Sequence, residues 1–128
     1  MDRMRVLKIY LWTAGIFCLF YWPVSHWFYP EWYHRLMGFT SYEDSFVKII
    51  GTLSLLPVAG IFALALRPLQ NRDLAALLTV FAVLMAGTYV FVILFRGFPA
   101  REWFNVALLF GNAAGLCVLY PWREAFRQ

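Results

Sequence analysis

Four long apolar segments, separated by short polar stretches, make up most of this 128-residue chain. Their approximate limits are residues 6–28, 44–66, 74–95 and 103–120. Because a helix rises about 1.5 Å per residue, each segment is about as long as the hydrocarbon core of a bilayer is thick, roughly 30 Å. The pattern predicts an all-α integral membrane protein, in which four transmembrane helices form one up-down-up-down bundle.

A short additional helix is predicted between the first two transmembrane helices. Pro30 suits the first position of a helix, and Gly38 suits the residue just past its end. Between them, Trp32 and Leu36 are four residues apart and share one face. We therefore expect a short interfacial helix that lies in the plane of the lipid headgroups. Pro23, near the end of the first segment, is expected to kink that helix.

Polar residues just before the second segment predict how that helix begins. Thr40 with Glu43, or Ser41 with Asp44, matches the spacing of a capping box, in which each side chain bonds to a backbone N–H near the other. Lys48 follows Asp44 by four residues, so the two charges can pair while the ammonium group reaches the interface.

The distribution of basic residues predicts the orientation in the membrane. Lysine and arginine are more frequent in cytoplasmic loops, so the richer side marks the cytoplasm. One predicted side carries seven of these residues and the other carries four. The seven are Arg3, Arg5, Lys8, Arg67, Arg72, Arg123 and Arg127, and the four are Arg35, Lys48, Arg96 and Arg101. Both termini are therefore predicted to be cytoplasmic.

Composition supports the membrane class and limits the partners. The chain is 62% hydrophobic and only 14% charged, whereas soluble domains are about 45–50% apolar and roughly a quarter charged. The net charge is +4, but the basic residues sit at the ends of apolar runs and form no patch. We therefore predict contact with membrane lipids and no binding of nucleic acid.

Small and amide-bearing residues on the last two segments predict helix packing. Small residues let helices approach closely in a membrane, and asparagine side chains form hydrogen bonds between helices. A ligand-binding role for the two asparagines is the alternative. The candidate packing residues are Gly111 and Gly115 in a G-x-x-x-G motif, Asn105 and Asn112 on the same helix, and Ala82 and Ala86 on the preceding one.

Candidate chemistry is concentrated between the first two segments. His26 and His34 are the two histidines of the chain, and Trp27 and Trp32 lie beside them in sequence. A neutral imidazole can ligate the metal of haem or chlorin, and indole rings can stack on a flat cofactor, so these four are the candidate cofactor-binding residues. Histidines bonded to headgroups, water or neighbouring loops are the alternative, and the cofactor itself stays unknown. The spacing matches no metal motif, so no metal site is predicted.

The sequence favours a non-catalytic role. It has no nucleophile elbow and no glycine-rich phosphate loop, so no catalytic residue is predicted. Proton-coupled carriers usually keep an ionisable residue within their helices, and here only Lys48 qualifies, at one edge. The leading interpretation is an accessory or assembly subunit that packs against a larger membrane complex or another copy of itself. The alternatives are a subunit that binds haem, chlorin or quinone, and a small oligomeric transporter or channel.

Several features together resemble one group of small bacterial membrane proteins. They are an N-terminal basic cluster, an aromatic first helix, the segments Phe28-Tyr29-Pro30-Glu31-Trp32 and Lys48-Ile49-Ile50-Gly51, and four spans in all. In this plan the chain is similar to DoxX-like or BphX-like proteins over most of its length. The resemblance implies the cytoplasmic (inner) membrane of a bacterium as the location, and it implies no catalytic residue.

Overall fold

The computed structural model describes residues 1–127, and every regular element within them is a helix. Four helices are long and apolar enough to cross a membrane, which confirms the predicted class. With the turns that continue them, they cover Arg3–Phe28, Asp44–Leu66, Leu69–Phe95 and Ala100–Leu119. The labels used below are α1 (Arg3–Phe28), α2 (Pro30–Met37), α3 (Asp44–Leu66), α4 (Arg72–Phe95), α5 (Trp103–Leu119) and α6 (Trp122–Ala125).

Pro23 changes the type of helix in α1 without ending it. Residues Phe20–Val24 form a π-helical turn, and its wider ring accommodates a proline, which has no N–H to donate. Helical structure then continues to Phe28. The Ser25 hydroxyl donates to the carbonyl oxygen of Tyr21, which adds a hydrogen bond where the backbone pattern is irregular.

The short helix α2 begins and ends where the sequence predicts. Pro30 occupies its first turn, and Gly38 ends it with a φ of 91°, a left-handed conformation that favours glycine. The N–H groups of Gly38 and Phe39 both donate to the carbonyl oxygen of His34, at 3.0 and 2.8 Å. These bonds turn the chain sharply towards α3.

The start of α3 differs from the predicted capping boxes. Glu43 itself is the N-cap, and its carboxylate accepts a hydrogen bond from the backbone N–H of Phe46 at 2.8 Å. Thr40 and Ser41 lie before the cap, so neither of them caps the helix. The bond to Phe46 lowers the pKa of the Glu43 carboxyl group, because it stabilises the charged form.

Lys48 fastens the start of α3 to the end of α1. Its ammonium group lies 3.5 Å from Asp44, which is the ion pair that the sequence predicts. It also donates to the carbonyl oxygens of His26 and Trp27, at 3.0 and 2.8 Å. A cation at the carboxyl end of a helix is favourable, since the last carbonyl groups of the helix have no partner within it.

The long helices pack mainly as two pairs, α1 with α3 and α4 with α5. The second pair is built on small residues, because Ala82 and Ala86 of α4 lie in a buried cluster with Leu109 and Ala113 of α5. Such residues let two helix backbones approach closely, which is the main source of helix association in a lipid solvent.

Contacts near the two chain termini close one end of the bundle. The Arg3 guanidinium donates to the carbonyl oxygens of Val118, Leu119 and Tyr120, at 2.7, 3.1 and 3.2 Å. The Tyr120 hydroxyl donates to the carbonyl oxygen of Pro68 at 2.6 Å. The first and last long helices are therefore joined at the ends that carry the chain termini.

Candidate functional site

A cavity of about 110 Å³ lies between the two helix pairs, and we call it the central cavity. Its lining comes from all four long helices and is almost entirely apolar. No charged side chain lines it within residues 1–127. The lining residues are Tyr10, Leu11, Ala14, Cys18, Trp22, Ile50, Ser54, Pro57, Val58, Ile61, Leu78, Phe81, Ala82, Met85, Tyr89, Leu109, Asn112 and Leu116.

Few polar groups line the central cavity, and Tyr10 and Ser54 have defined hydrogen bonds there. The Tyr10 hydroxyl lies 2.9 Å from Oδ1 of Asn112 and 3.2 Å from its backbone oxygen. The Cys18 thiol lies beside the same asparagine side chain. The Ser54 hydroxyl donates to the carbonyl oxygen of Gly51 at 2.8 Å. Among the polar candidates that the sequence analysis names, Asn112 is therefore one that lines the cavity.

We infer that the central cavity opens between α3 and α4, because each of these helices contributes an exposed lining residue. These helices touch near the loop that joins them, where Gly60 packs on Leu78. Farther from that loop, Ile50 of α3 and Phe81 of α4 line the cavity and are both exposed on the outside of the bundle. In a bilayer this gap would face hydrocarbon, so an apolar molecule could pass from the lipid into the cavity.

A buried hydrogen-bond network, which we call the Glu102 network, lies at the start of α5. Only 1% of the Glu102 surface is exposed, and its carboxyl group accepts a hydrogen bond from Nδ2 of Asn105. The same Nδ2 donates to the Tyr33 hydroxyl at 2.9 Å, and the Tyr21 hydroxyl donates to Oδ1 of Asn105 at 2.8 Å. Tyr89 lies close to Tyr33 and Glu102 and also lines the central cavity, so the two sites adjoin.

Glu102 corrects the expectation that Lys48 is the only ionisable residue within the spans. It belongs to the helical span Ala100–Leu119 and is fully buried. The sequence places it in a polar stretch beside Arg101, a position that is typical of an exposed loop residue. The available signal is the spacing from Glu102 to Asn105, because residues three apart share a helix face.

Tyr33 brings α2 into the same network. Burial raises the pKa of the Tyr33 hydroxyl above its ordinary value, so this group stays protonated at neutral pH. A neutral phenol can both accept the hydrogen bond from Asn105 and donate one of its own. The aromatic residues of α2 therefore include at least one that anchors this helix to the bundle.

The structure brings His26 and His34 together. Both are buried, and their ring centres are 5.9 Å apart. The Tyr33 ring packs against the His26 ring, with 4.4 Å between the ring centres, and the Tyr42 ring stacks on the His34 ring, with 4.2 Å between the centres. Nδ1 of His34 lies 2.7 Å from the carbonyl oxygen of Pro30, so this nitrogen carries the proton. The space around the two imidazoles is filled by side chains of the protein itself.

Trp27 and Trp32 stand apart from the two histidines. They are 46% and 53% exposed. The Trp27 ring nitrogen donates to the hydroxyl of Thr52 at 3.0 Å, and the Lys48 ammonium group lies 5.6 Å from the centre of this ring. The four candidate cofactor residues therefore do not enclose a common space. Within residues 1–127, no group of three or more His, Cys, Asp or Glu side chains is arranged to hold a metal ion.

The candidate packing residues of α5 lie in different surroundings. A Cβ atom added at Gly115 would be 2.6 Å from the Tyr10 hydroxyl oxygen, whereas one added at Gly111 would meet nothing within 4 Å. Asn105 belongs to the Glu102 network and Asn112 to the central cavity. Of the two glycines in the G-x-x-x-G motif, Gly115 therefore packs against Tyr10, whereas Gly111 lies on an open surface.

The four long apolar helices are typical of a multi-pass α-helical membrane protein, and an apolar cavity lies between them. No family model, no curated protein and no solved structure matches this chain.

Proposed function

We propose that this chain is a membrane protein that binds a lipophilic molecule in the central cavity. The observation that supports the proposal most directly is the cavity itself, with an apolar lining from four helices and an opening towards the lipid between Ile50 and Phe81. Ligand sites are typically concave, mostly apolar and provided with a few polar groups, and Asn112 and Tyr10 supply such groups here.

We further propose that the protein lies in the cytoplasmic membrane of a bacterium, with four spans in up-down-up-down order and both termini in the cytoplasm. Two of the three connections between the long helices are short, and the other contains α2. The side that carries the termini has seven of the eleven basic residues. In this arrangement α2 lies at the outer interface, with Trp32 exposed. A shared plan with DoxX-like or BphX-like proteins stays a prediction. A cysteine introduced at Ser41 should react with an impermeant maleimide in spheroplasts, and one at Gln70 should not.

A matched pair of substitutions on α1 tests the binding proposal. Ala14 lines the cavity, whereas its neighbour Thr13 is exposed. Protein purified in a mild detergent is expected to carry a lipophile in roughly equimolar amount, and Ala14→Phe is expected to reduce this amount at least tenfold by filling the cavity. Thr13→Phe should leave it unchanged. Mass spectrometry of an organic extract measures the lipophile, and an absorption spectrum shows whether it is a haem or chlorin.

A wild-type preparation with no lipophile beyond bulk lipid, or an Ala14→Phe preparation that carries as much as wild type, would exclude the cavity as a binding site. Size-exclusion profiles of both variants show whether Ala14→Phe is folded.

An exposed face of α5 favours a second candidate function, that of an accessory or assembly subunit. Ala107, Gly111 and Ala114 are small and exposed, and they lie on one side of the helix. A helix of a partner protein, or of another copy, could approach this face closely. If the protein extracted from its native membrane in a mild detergent migrates as a single small particle, the subunit role is excluded.

A further inference from the structure

We propose that the molecule bound in the central cavity is a neutral lipophile with a carbonyl oxygen, and that Nδ2 of Asn112 donates a hydrogen bond to this oxygen. This inference rests on the proposed function and specifies the chemical class of its ligand. It starts from the hydrogen bonds of a single side chain. Oδ1 of Asn112 already accepts from the Tyr10 hydroxyl at 2.9 Å, so the acceptor end of the amide has a partner.

Within residues 1–127, no nitrogen or oxygen atom accepts a hydrogen bond from the donor end of the same amide, which lies beside the Cys18 thiol. Its neighbour Cys18 offers only a sulfur atom, which accepts hydrogen bonds weakly. Every fully enclosed side-chain nitrogen or oxygen in the same residues has a partner, and Asn112 lines the cavity, so we infer that a molecule in the cavity can reach Nδ2. In a membrane interior, an amide N–H without an acceptor costs free energy that a ligand acceptor would recover.

The other polar groups of the cavity lie against polar groups of the protein itself, and Trp22 and Tyr89 lie beside each other. Ser54 donates its proton to the backbone of Gly51 at 2.8 Å, and Tyr10 donates its proton to Asn112. The acceptor of the new hydrogen bond must therefore come from the ligand. A carbonyl group meets this need, because it accepts hydrogen bonds and carries no proton that would itself require a partner.

The absence of charge in the lining excludes other ligand classes. No lysine, arginine, aspartate or glutamate lines the cavity within residues 1–127. A carboxylate, phosphate or ammonium group would therefore be buried without a counter-charge, at a cost that the apolar contacts do not offset. A neutral quinone, ketone, aldehyde or ester remains, and an alkyl tail could extend through the gap between Ile50 and Phe81 into the lipid.

Three probes with the same alkyl tail test the inference: a decyl benzoquinone, the corresponding hydroquinone and decylbenzene. We expect wild-type protein in nanodiscs to bind the quinone about tenfold more tightly than decylbenzene, which corresponds to one hydrogen bond in an apolar site. In Asn112→Leu the quinone should lose this advantage, while decylbenzene should bind as before and show that the cavity is intact.

The outcomes separate this inference from the proposed function. If Asn112→Leu still prefers the quinone, or if wild type binds the hydroquinone more tightly than the quinone, the carbonyl assignment is wrong while lipophile binding stands. If wild type binds none of the three probes, both proposals are overturned.

Discussion

Replacing Asn105 with leucine is expected to lower the free energy of unfolding in detergent micelles by about 3 kcal/mol, roughly 1 kcal/mol for each hydrogen bond lost. The amide of Asn105 joins Tyr21 of α1, Tyr33 of α2 and Glu102 at the start of α5. Leucine has the same number and branching of side-chain heavy atoms as asparagine but no polar atom. The loss should therefore reflect unpaired polar groups rather than altered packing, and equilibrium unfolding in a denaturing detergent measures it.

Asn112→Leu is the matched control, because it makes the same substitution seven residues later on the same helix. It removes the hydrogen bond from Tyr10 to the amide and the weak contact with Cys18, so we expect the free energy of unfolding to fall by about 1 kcal/mol in the absence of added ligand. If the two variants lose equal stability, the Glu102 network does not hold α2 to the bundle. A loss in Asn105→Leu that is accompanied by faster proteolysis near Gly38 would locate the damage at α2.

Replacing Gly115 with leucine is expected to be similarly damaging, with a loss of about 2–3 kcal/mol. The nearest atoms to a Cβ at this position would be the Tyr10 hydroxyl oxygen at 2.6 Å and the ring carbon that bears it at 2.7 Å. Real Cβ atoms do not approach so closely, so Tyr10 must move and its hydrogen bonds to Asn112 must break. The contact between α1 and α5 would be loosened next to the central cavity.

Gly111→Leu provides the control for this prediction, because it alters the other glycine of the same motif. A side chain there would point into open space, so the free energy of unfolding should change by less than about 0.5 kcal/mol. Comparable losses at both glycines would mean that Gly111 also lies in a close helix contact, as it would if the exposed face of α5 were covered by another copy of the chain.

The central cavity and the Glu102 network adjoin through Tyr89, which lines the first and lies beside Glu102 and Tyr33 of the second. A ligand in the cavity would therefore lie close to the segment that carries both histidines. Internal contacts hold that segment: Tyr33 bonds to Asn105, and the rings of His26 and His34 pack on tyrosines. We infer that its aromatic residues position α2 and close one end of the bundle.

The run of apolar residues determined the class of the protein, because a segment of that length and composition needs a lipid solvent and must satisfy its backbone bonds as a helix. The sequence also predicted correctly those features that depend only on residues within one helical turn of each other. Pro30 and Gly38 delimit α2, and Asp44 and Lys48 form an ion pair one turn apart. The choice of N-cap was wrong, since Glu43 competes with Thr40 and Ser41 for the same helix end.

The tertiary structure alone decided what each polar residue contacts. Periodicity places Asn105 and Asn112 on one stripe of α5, but only the packing of α1 and α2 assigns the first to Glu102 and the second to a cavity. In the sequence, Glu102 has the surroundings of an exposed loop residue. Its burial depends on residues of the Glu102 network that are far from it along the chain. A cavity is space that several helices leave unfilled together, so no single segment of sequence can encode it.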